Sequence, residues 1–279
     1  MSTNLKAKRA PRAFLGFAAC AFAFATVFAP PSQAKLLSVT PQEEAKLGAQ
    51  ASEQIESQAR ILRGPVEDWV ERVGQKLASV SNPQWKYRFR VIDSPEINAF
   101  ALPGGYVYIY TGMRKIVADD DELAAVLAHE ITHAEQRHYA KQYAKSSKRG
   151  LLFGVAAAVL GLPQIGQQAV GLLDAAIGQK YSRVDEYEAD KLGLQRMARA
   201  GFKPTAMISL LEKLGQEEAG AGGWFASHPD GDKRVAAARR ELALLPVTLK
   251  TAALDNDTTD KTPLSEMPPP DVSVATLSK

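Results

Sequence analysis

Cysteine is almost missing from the 279 residues; the one present is Cys20. That excludes a disulfide framework, a thiolate metal cluster and a redox pair. Histidine is nearly as scarce, with four in the whole chain, so chemistry that needs several imidazoles must use most of them. An uninterrupted apolar run long enough to span a bilayer is lacking. The best candidate, residues 13–29, is a little short and ends in Pro30-Pro31. An excess of one charge is missing too, although the formal net charge is +3. Lys6, Lys8, Arg9 and Arg12 precede Ala34 with no acid among them, and the remainder carries 30 basic residues against 31 acidic ones. Such a balance leaves no footprint for a nucleic-acid partner. No internal repeat is visible.

What the N-terminus does have is the layout of a secretory leader. A basic stretch to Arg12 is followed by the apolar run and then by Ser32-Gln33-Ala34, a small-residue cleavage site. The expected organisation is a signal peptide over 1–34, a folded domain over 35–247 and a disordered tail over 248–279, rich in Thr, Pro and Asp. An uncleaved anchor and a lipid on Cys20 are the rivals, but Phe17-Ala18-Ala19-Cys20 is a poor lipidation signal and the apolar run continues past it. Cleavage would leave no cysteine in the mature protein.

Along that domain the punctuation is helical. Thr40-Pro41-Gln42-Glu43 combines an N-cap, a proline at the first helical position and a capping-box glutamate, predicting a helix over 41–58. A second follows Gly64-Pro65, with Val66, Trp69, Val70, Val73 and Leu77 on one face. Tyr87, Phe89 and Val91 alternate with Arg88, Arg90 and Ile92 as in a half-buried strand, and residues 98–110 read as two strands turning at Pro103-Gly104-Gly105. Further helices are expected over 181–201, from Lys203-Pro204 towards Gln216, and up to about Leu245. The class is mainly α with a small β-sheet, an α+β domain. Residues 151–178 carry one charge, Asp174, and read as two short apolar helices. They are either buried core or, beside Lys141, Lys145, Lys148 and Arg149, a hairpin that contacts lipid or an outer-membrane assembly partner.

The residues that carry chemistry lie in 119–137, DDDELAAVLAHEITHAEQR. Its acidic start suits the positive end of a helix dipole, and Leu123, Leu127, Ile131 and Ala134 recur at core spacing. On the opposite side His129 and His133 project one turn apart, with Glu130 beside them. This H-E-x-x-H pattern lets two imidazoles share a zinc ion while the glutamate remains free as a base, the arrangement of a metalloprotease. A third protein ligand is still needed. A histidine ten residues after the first is ruled out, because Tyr139 stands there. His138 is out of helical phase and reads as an exposed helix residue. Glu186, with Asp190 one turn later to orient an imidazole, is the best carboxylate; Glu188 is a rival that points off that face. His228 follows a glycine-rich loop over 219–223, and Pro229 and Asp230 also allow it to be a surface residue near a helix start.

In this order, NAFALPGG, HEITH, SRVDEYEAD and SHPDGDKR resemble the zinc metallopeptidase family that includes HtpX, the CAAX prenyl protease, mitochondrial Oma and periplasmic BepA. The resemblance covers about 41–245. It implies a gluzincin fold, Zn2+ on His129, His133 and Glu186, Glu130 as general base, and Asp190 behind a ligand imidazole. It also implies that Asn98, Ala99, Phe100, Ala101, Gly104 and Gly105 form a substrate-side strand, and gives a site role to His228 with Arg234 close by. Two roles are open for His228, a latch on the metal's fourth position or an oxyanion donor. Arg183 belongs to the third matched motif. The implied protein is a small exported, periplasmic endopeptidase acting on misfolded or unassembled envelope proteins. The other reading is a chaperone-like assembly factor with a latent or structural zinc site. Membrane-spanning helices like those of HtpX, and a C-terminal repeat domain like that of BepA, are not apparent in the sequence.

Overall fold

Thr40 opens the first helix as its hydroxyl accepts from the Glu43 amide at 3.3 Å while the Glu43 carboxylate accepts from the Thr40 amide at 2.6 Å. This reciprocal cap fixes where α1 begins. The computed structural model describes residues 40–82, 84–141, 181–217, 224, 227–229 and 231–249. All of them fall in the second of two units, Met1–Ser38 and Val39–Lys279. The leader, Lys145, Lys148 and Arg149, the apolar stretch 151–178, the glycine-rich loop 219–223 and the tail from residue 250 lie outside the described residues.

In chain order the elements are α1 (Pro41–Gln58), β1 (Ile61–Leu62), α2 (Pro65–Ala78), β2 (Arg88–Ile92), β3 (Ala99–Leu102), β4 (Tyr106–Tyr110), a 3-10 turn (Thr111–Lys115), α3 (Asp120–Glu135), α4 (Arg183–Arg199), α5 (Thr205–Glu217) and α6 (Gly231–Leu244). The domain is mainly helical with one small sheet in the order β1-β2-β4-β3. β2 and β4 run parallel, and the other two pairings are antiparallel. No helix among the described residues is long and apolar enough to cross a membrane.

The sheet's two faces go to different places. Phe89, Val91, Ala99, Ala101, Val107 and Ile109 join the main core with α2 and α3. Ile92, Phe100, Leu102, Tyr108 and Tyr110 form a second cluster with Ile55 of α1. β2 is thus covered on both faces at its C-terminal end, whereas the alternation with arginines suggested one wet face. At the β3–β4 turn Gly104 and Gly105 have φ of +84° and +90°, a backbone that side chains resist. Helix α1 sits directly on that turn: a Cβ at Gly48 would lie 1.6 Å from the Pro103 carbonyl oxygen.

Helix α3 runs through the middle of the domain. Every residue from Asp120 to Ala134 is buried, so it is a central helix and not the two-faced one its apolar stripe suggested. Its polar face is covered by other helices instead of water. Its acidic first turn does more than complement a dipole. Asp120 pairs with Arg72 of α2 at 2.8 Å, Asp121 accepts from the Lys203 amide at 2.9 Å, and Glu122 pairs with Lys213 of α5. Near the other end Arg196 of α4, 1% exposed, bonds the Ala128 carbonyl at 2.9 Å, the Thr132 hydroxyl and the Glu135 carboxylate. These ties set the height and rotation of α4 against α3.

Candidate active site

Where α3 and α4 cross, backbone meets backbone closely. A Cβ at Gly193 would stand 3.3 Å from the His129 amide nitrogen, so the absence of a side chain lets α4 approach the histidine turn. Ser182 caps α4, and its hydroxyl and amide exchange hydrogen bonds with Asp185. The first turn of α4 therefore delivers Glu186 to the two histidines one turn apart on α3. Glu186 Oε2 is 3.5 Å from His129 Nε2, and its Oε1 is 3.4 Å from His133 Nε2. The two Nε2 atoms are 2.9 Å apart. His228 enters from the segment before α6, its Nδ1 3.2 Å from His129 Nε2 and 3.1 Å from Glu186 Oε1.

These four residues are buried, and each offers a ligand atom lying within 4.8 Å of the others. A tetrahedral ion with bonds of ~2.0–2.1 Å would hold its ligands roughly 3.3–3.4 Å apart, close to the spacing found here. The electrostatics agree. Burial opposes charge on His129, but hydrogen bonds to Asp190 and Glu186 outweigh it and push its pKa up to about 9. Burial holds His133 well below the usual histidine value. Burial alone would raise Glu186, yet His228 and Arg234 beside it hold its carboxyl well below the ordinary carboxylate range. A proton on His129 facing His133 and the Glu186 carboxylate marks a position that suits a cation, and a metal would displace it. The donor set fits a zinc-type ion.

Around that centre the supporting contacts are specific. Asp190, one turn beyond Glu186, reaches His129 Nδ1 at 3.0 Å. Arg234 of α6, 1% exposed, grips both carboxylates: Nη1 is 2.7 Å from Glu186 Oε2 and Nη2 is 2.7 Å from Asp190 Oδ1. Glu130 is fully buried, with neither carboxylate oxygen hydrogen-bonded among the described residues, and burial raises its pKa. The nearest His228 atom, Nε2, lies 3.6 Å from Glu130 Oε1. A carboxylate so placed, poised beside a metal position and with unused acceptor capacity, can take a proton from water.

The arrangement brings His129, Glu130, His133, Glu186, Asp190, His228 and Arg234 into one cluster. Glu188 stays off it, as its phase requires. Arg183 lies exposed in the first turn of α4. In 98–105 the side chains of Ala99, Phe100 and Ala101 are committed to the cores and the glycines Gly104 and Gly105 to the turn. What β3 retains for a peptide is its backbone, on the outer position of the sheet as described and packed beside α3. Asn98 is only part-buried and caps the strand, its Oδ1 accepting from the Ala99 amide.

One expectation was wrong. His138 is 0% exposed, not an exposed helix residue. The helix breaks at Gln136, Arg137 takes a left-handed φ of +54°, and the chain resumes a helical turn at His138. Helical phase counted from His133 does not survive that break. Two aromatic residues also went unnoticed. Trp224 stacks on His228, with centroids 4.2 Å apart, and Tyr181 stacks on His133 at 3.8 Å. Both had a local signal: Trp224 precedes His228 by one turn, and Tyr181 sits just before the cap Ser182, a position that folds over the fourth residue of a helix, here Glu186.

A profile of peptidase family M48 matches residues 65–242, more than half of the chain. The chain belongs to peptidase family M48. It is 36% identical over 175 residues to the mitochondrial metalloendopeptidase OMA1 of Schizosaccharomyces pombe, covering 61% of this chain and 51% of that one. To the beta-barrel assembly-enhancing protease of Escherichia coli O157:H7 it is 31% identical over 182 residues, 62% of this chain and 37% of the relative. A putative beta-barrel assembly-enhancing protease of Vibrio cholerae is 32% identical over 169 residues, 56% of this chain and 34% of the relative. The matched region thus spans between a third and a half of these relatives. Family and relatives place the chain among the metalloproteases, and the buried cluster of His129, His133, Glu186 and His228 could hold a metal ion.

Proposed function

We propose that the protein is an exported, periplasmic zinc endopeptidase that hydrolyses misfolded or unassembled envelope proteins. The observation that carries this reading is Glu130, buried and without a hydrogen-bond partner among the described residues, beside four converging ligand atoms. A structural metal site needs no such carboxylate. His129, His133 and Glu186 would hold the ion, which supplies Lewis acidity for peptide hydrolysis when bound. Glu130 takes the proton from the attacking water and returns it to the leaving amine. Asp190 holds the His129 ring, and Arg234 fixes both carboxylates. The backbone of β3, between Asn98 and Leu102, pairs with an extended substrate, which admits unfolded chains and rejects folded ones. The relatives named as beta-barrel assembly-enhancing proteases support an envelope substrate, and the leader-like N-terminus supports export. Contact with an outer-membrane assembly partner would run through 151–178.

The test is turnover of an unfolded outer-membrane protein or casein by the purified chain. Cleavage that a chelator abolishes and zinc restores is the expected result. Suppressed aggregation of the substrate with no cleavage, under every condition, would favour the assembly-factor reading. Sequencing of native protein from its N-terminus should begin near Lys35, and an intact Met1 in the envelope would contradict removal of a leader.

One observation also favours a latent resting state. His228 Nδ1 stands among the ligand atoms, at 3.1 Å from Glu186, where the catalytic water has to bind. His228→Ala is therefore expected to raise basal cleavage of casein with zinc content unchanged. A fall in turnover of roughly 10²-fold would make His228 an oxyanion donor instead, and wild-type rates would remove it from the site.

A further inference from the structure

The histidine that sequence phase misplaced has a position that the hydrolytic scheme above leaves unused. His138 Nδ1 lies 2.9 Å from His133 Nδ1, and His138 Nε2 lies 3.2 Å from Glu188 Oε2 and 3.9 Å from Asp185 Oδ1. All three groups behind His133 come from the turn after α3 and from the first turn and a half of α4, so they are set by the same crossing that places Glu186. We propose that His138 is a positioning residue for the metal centre, joining His133 to Glu188 in a hydrogen-bonded relay that holds the His133 ring in its metal-binding tautomer. This rests on the metal site proposed above and concerns how one of its ligands is held.

The hydrogen-bond bookkeeping allows one solution that suits a metal. An ionised carboxylate only accepts, so His138 Nε2 must carry a hydrogen and donate it to Glu188. A neutral His138 then presents a lone pair at Nδ1. Across 2.9 Å that lone pair accepts from His133 Nδ1, which must be protonated. His133 Nε2, the atom 3.4 Å from Glu186 and 2.9 Å from His129 Nε2, is left with its lone pair facing the metal position. If His138 instead donated to His133, the His133 hydrogen would sit on Nε2 and block the ligand lone pair.

The two ligand imidazoles are therefore held differently. His129 leans directly on Asp190, itself bound by Arg234, in the buried interior. His133 leans on a second imidazole that ends at Glu188, whose side chain is 40% exposed. Tyr181 stacks on the His133 ring at 3.8 Å, a contact that favours the same ring orientation. Outer partners of ligand histidines typically tune metal affinity by ~10–100-fold.

The test is zinc affinity of the full chain, measured by competition with a chromophoric chelator at fixed pH, with circular dichroism to establish folding. His138→Leu, which keeps bulk and removes both hydrogen bonds, should weaken zinc binding by ~10–100-fold. His138→Asn, whose Oδ1 can accept from His133 Nδ1, should recover most of that loss. Glu188→Ala, on a part-exposed side chain whose removal spares the core, should weaken binding by a smaller factor. Wild-type affinity in folded His138→Leu and in Glu188→Ala would overturn the relay, as would a His138→Asn protein no better than His138→Leu. Should His138→Leu not fold, His138→Asn and Glu188→Ala decide the matter by the same criteria. Failure of the wild-type chain to bind stoichiometric zinc would instead contradict the metal site itself.

Discussion

Glu130→Gln is expected to retain about one zinc per chain while peptide hydrolysis falls by ~10²–10⁴-fold, the usual worth of a positioned proton transfer. The substitution keeps shape and burial and removes only the charge and the basicity. It does not touch the ligand atoms, since the converging group is His129, His133, Glu186 and His228. Removing a buried carboxylate that lacks hydrogen bonds, and whose pKa burial already raises, should also leave stability unchanged or improved. Metal analysis, thermal unfolding and casein turnover on one preparation check all three. Loss of zinc together with activity would make Glu130 a ligand; retained activity would require another base.

Arg234→Leu should produce the largest loss of stability, roughly 3–5 kcal/mol in the metal-free protein. Glu186 and Asp190 are both buried, and Arg234 contacts each at 2.7 Å. With the guanidinium gone, both carboxylates stay in the interior without their shared cation. For a domain of this size the loss corresponds to a fall in Tm of roughly 6–20 °C. The pH dependence has a definite sign. In the wild type both carboxyls are held below their ordinary values, against the opposing effect of burial. Their contribution is present above the unfolded-state values and is lost as pH falls through the folded ones. In the variant, burial is no longer opposed by Arg234, so protonation relieves the strain and the deficit shrinks on acidification. A difference between variant and wild type that is constant from pH 7 to 4 would contradict this account of Arg234.

Much of this architecture was legible because its signals are local. Thr40-Pro41-Gln42-Glu43 carries its own cap, and α1 begins and ends where that motif and the following breaks put it. The one-turn spacing of His129 and His133, and of Glu186 and Asp190, is fixed by helix geometry alone, so each pair could be assigned to one face before any fold was known. Contacts made across long chain separations were not legible. Nothing near Thr132 announces that Arg196 will bond it, or that α4 will cover the polar face of α3, and so α3 looked two-faced. His138 was misplaced for a different reason. Its position depends on a left-handed turn at Arg137, where no glycine or asparagine marks the break. The ion pair of Arg137 with Glu44 of α1 ties that residue across the fold, a contact that inspection of residues 119–141 could not reveal. The boundary of α4 was placed two residues early because Ser182 and Asp185 close a capping box with aspartate where glutamate is the familiar partner.

His129, His133 and Glu186 are expected to bind one catalytic zinc ion. Anomalous diffraction at the zinc edge from crystals of the Glu130→Gln protein, grown with one equivalent of zinc, tests it most directly. One strong peak is expected between His129 Nε2, His133 Nε2 and the Glu186 carboxylate, with the side chain at position 130 not among its ligands. A peak elsewhere, or none at full zinc stoichiometry in solution, would contradict it.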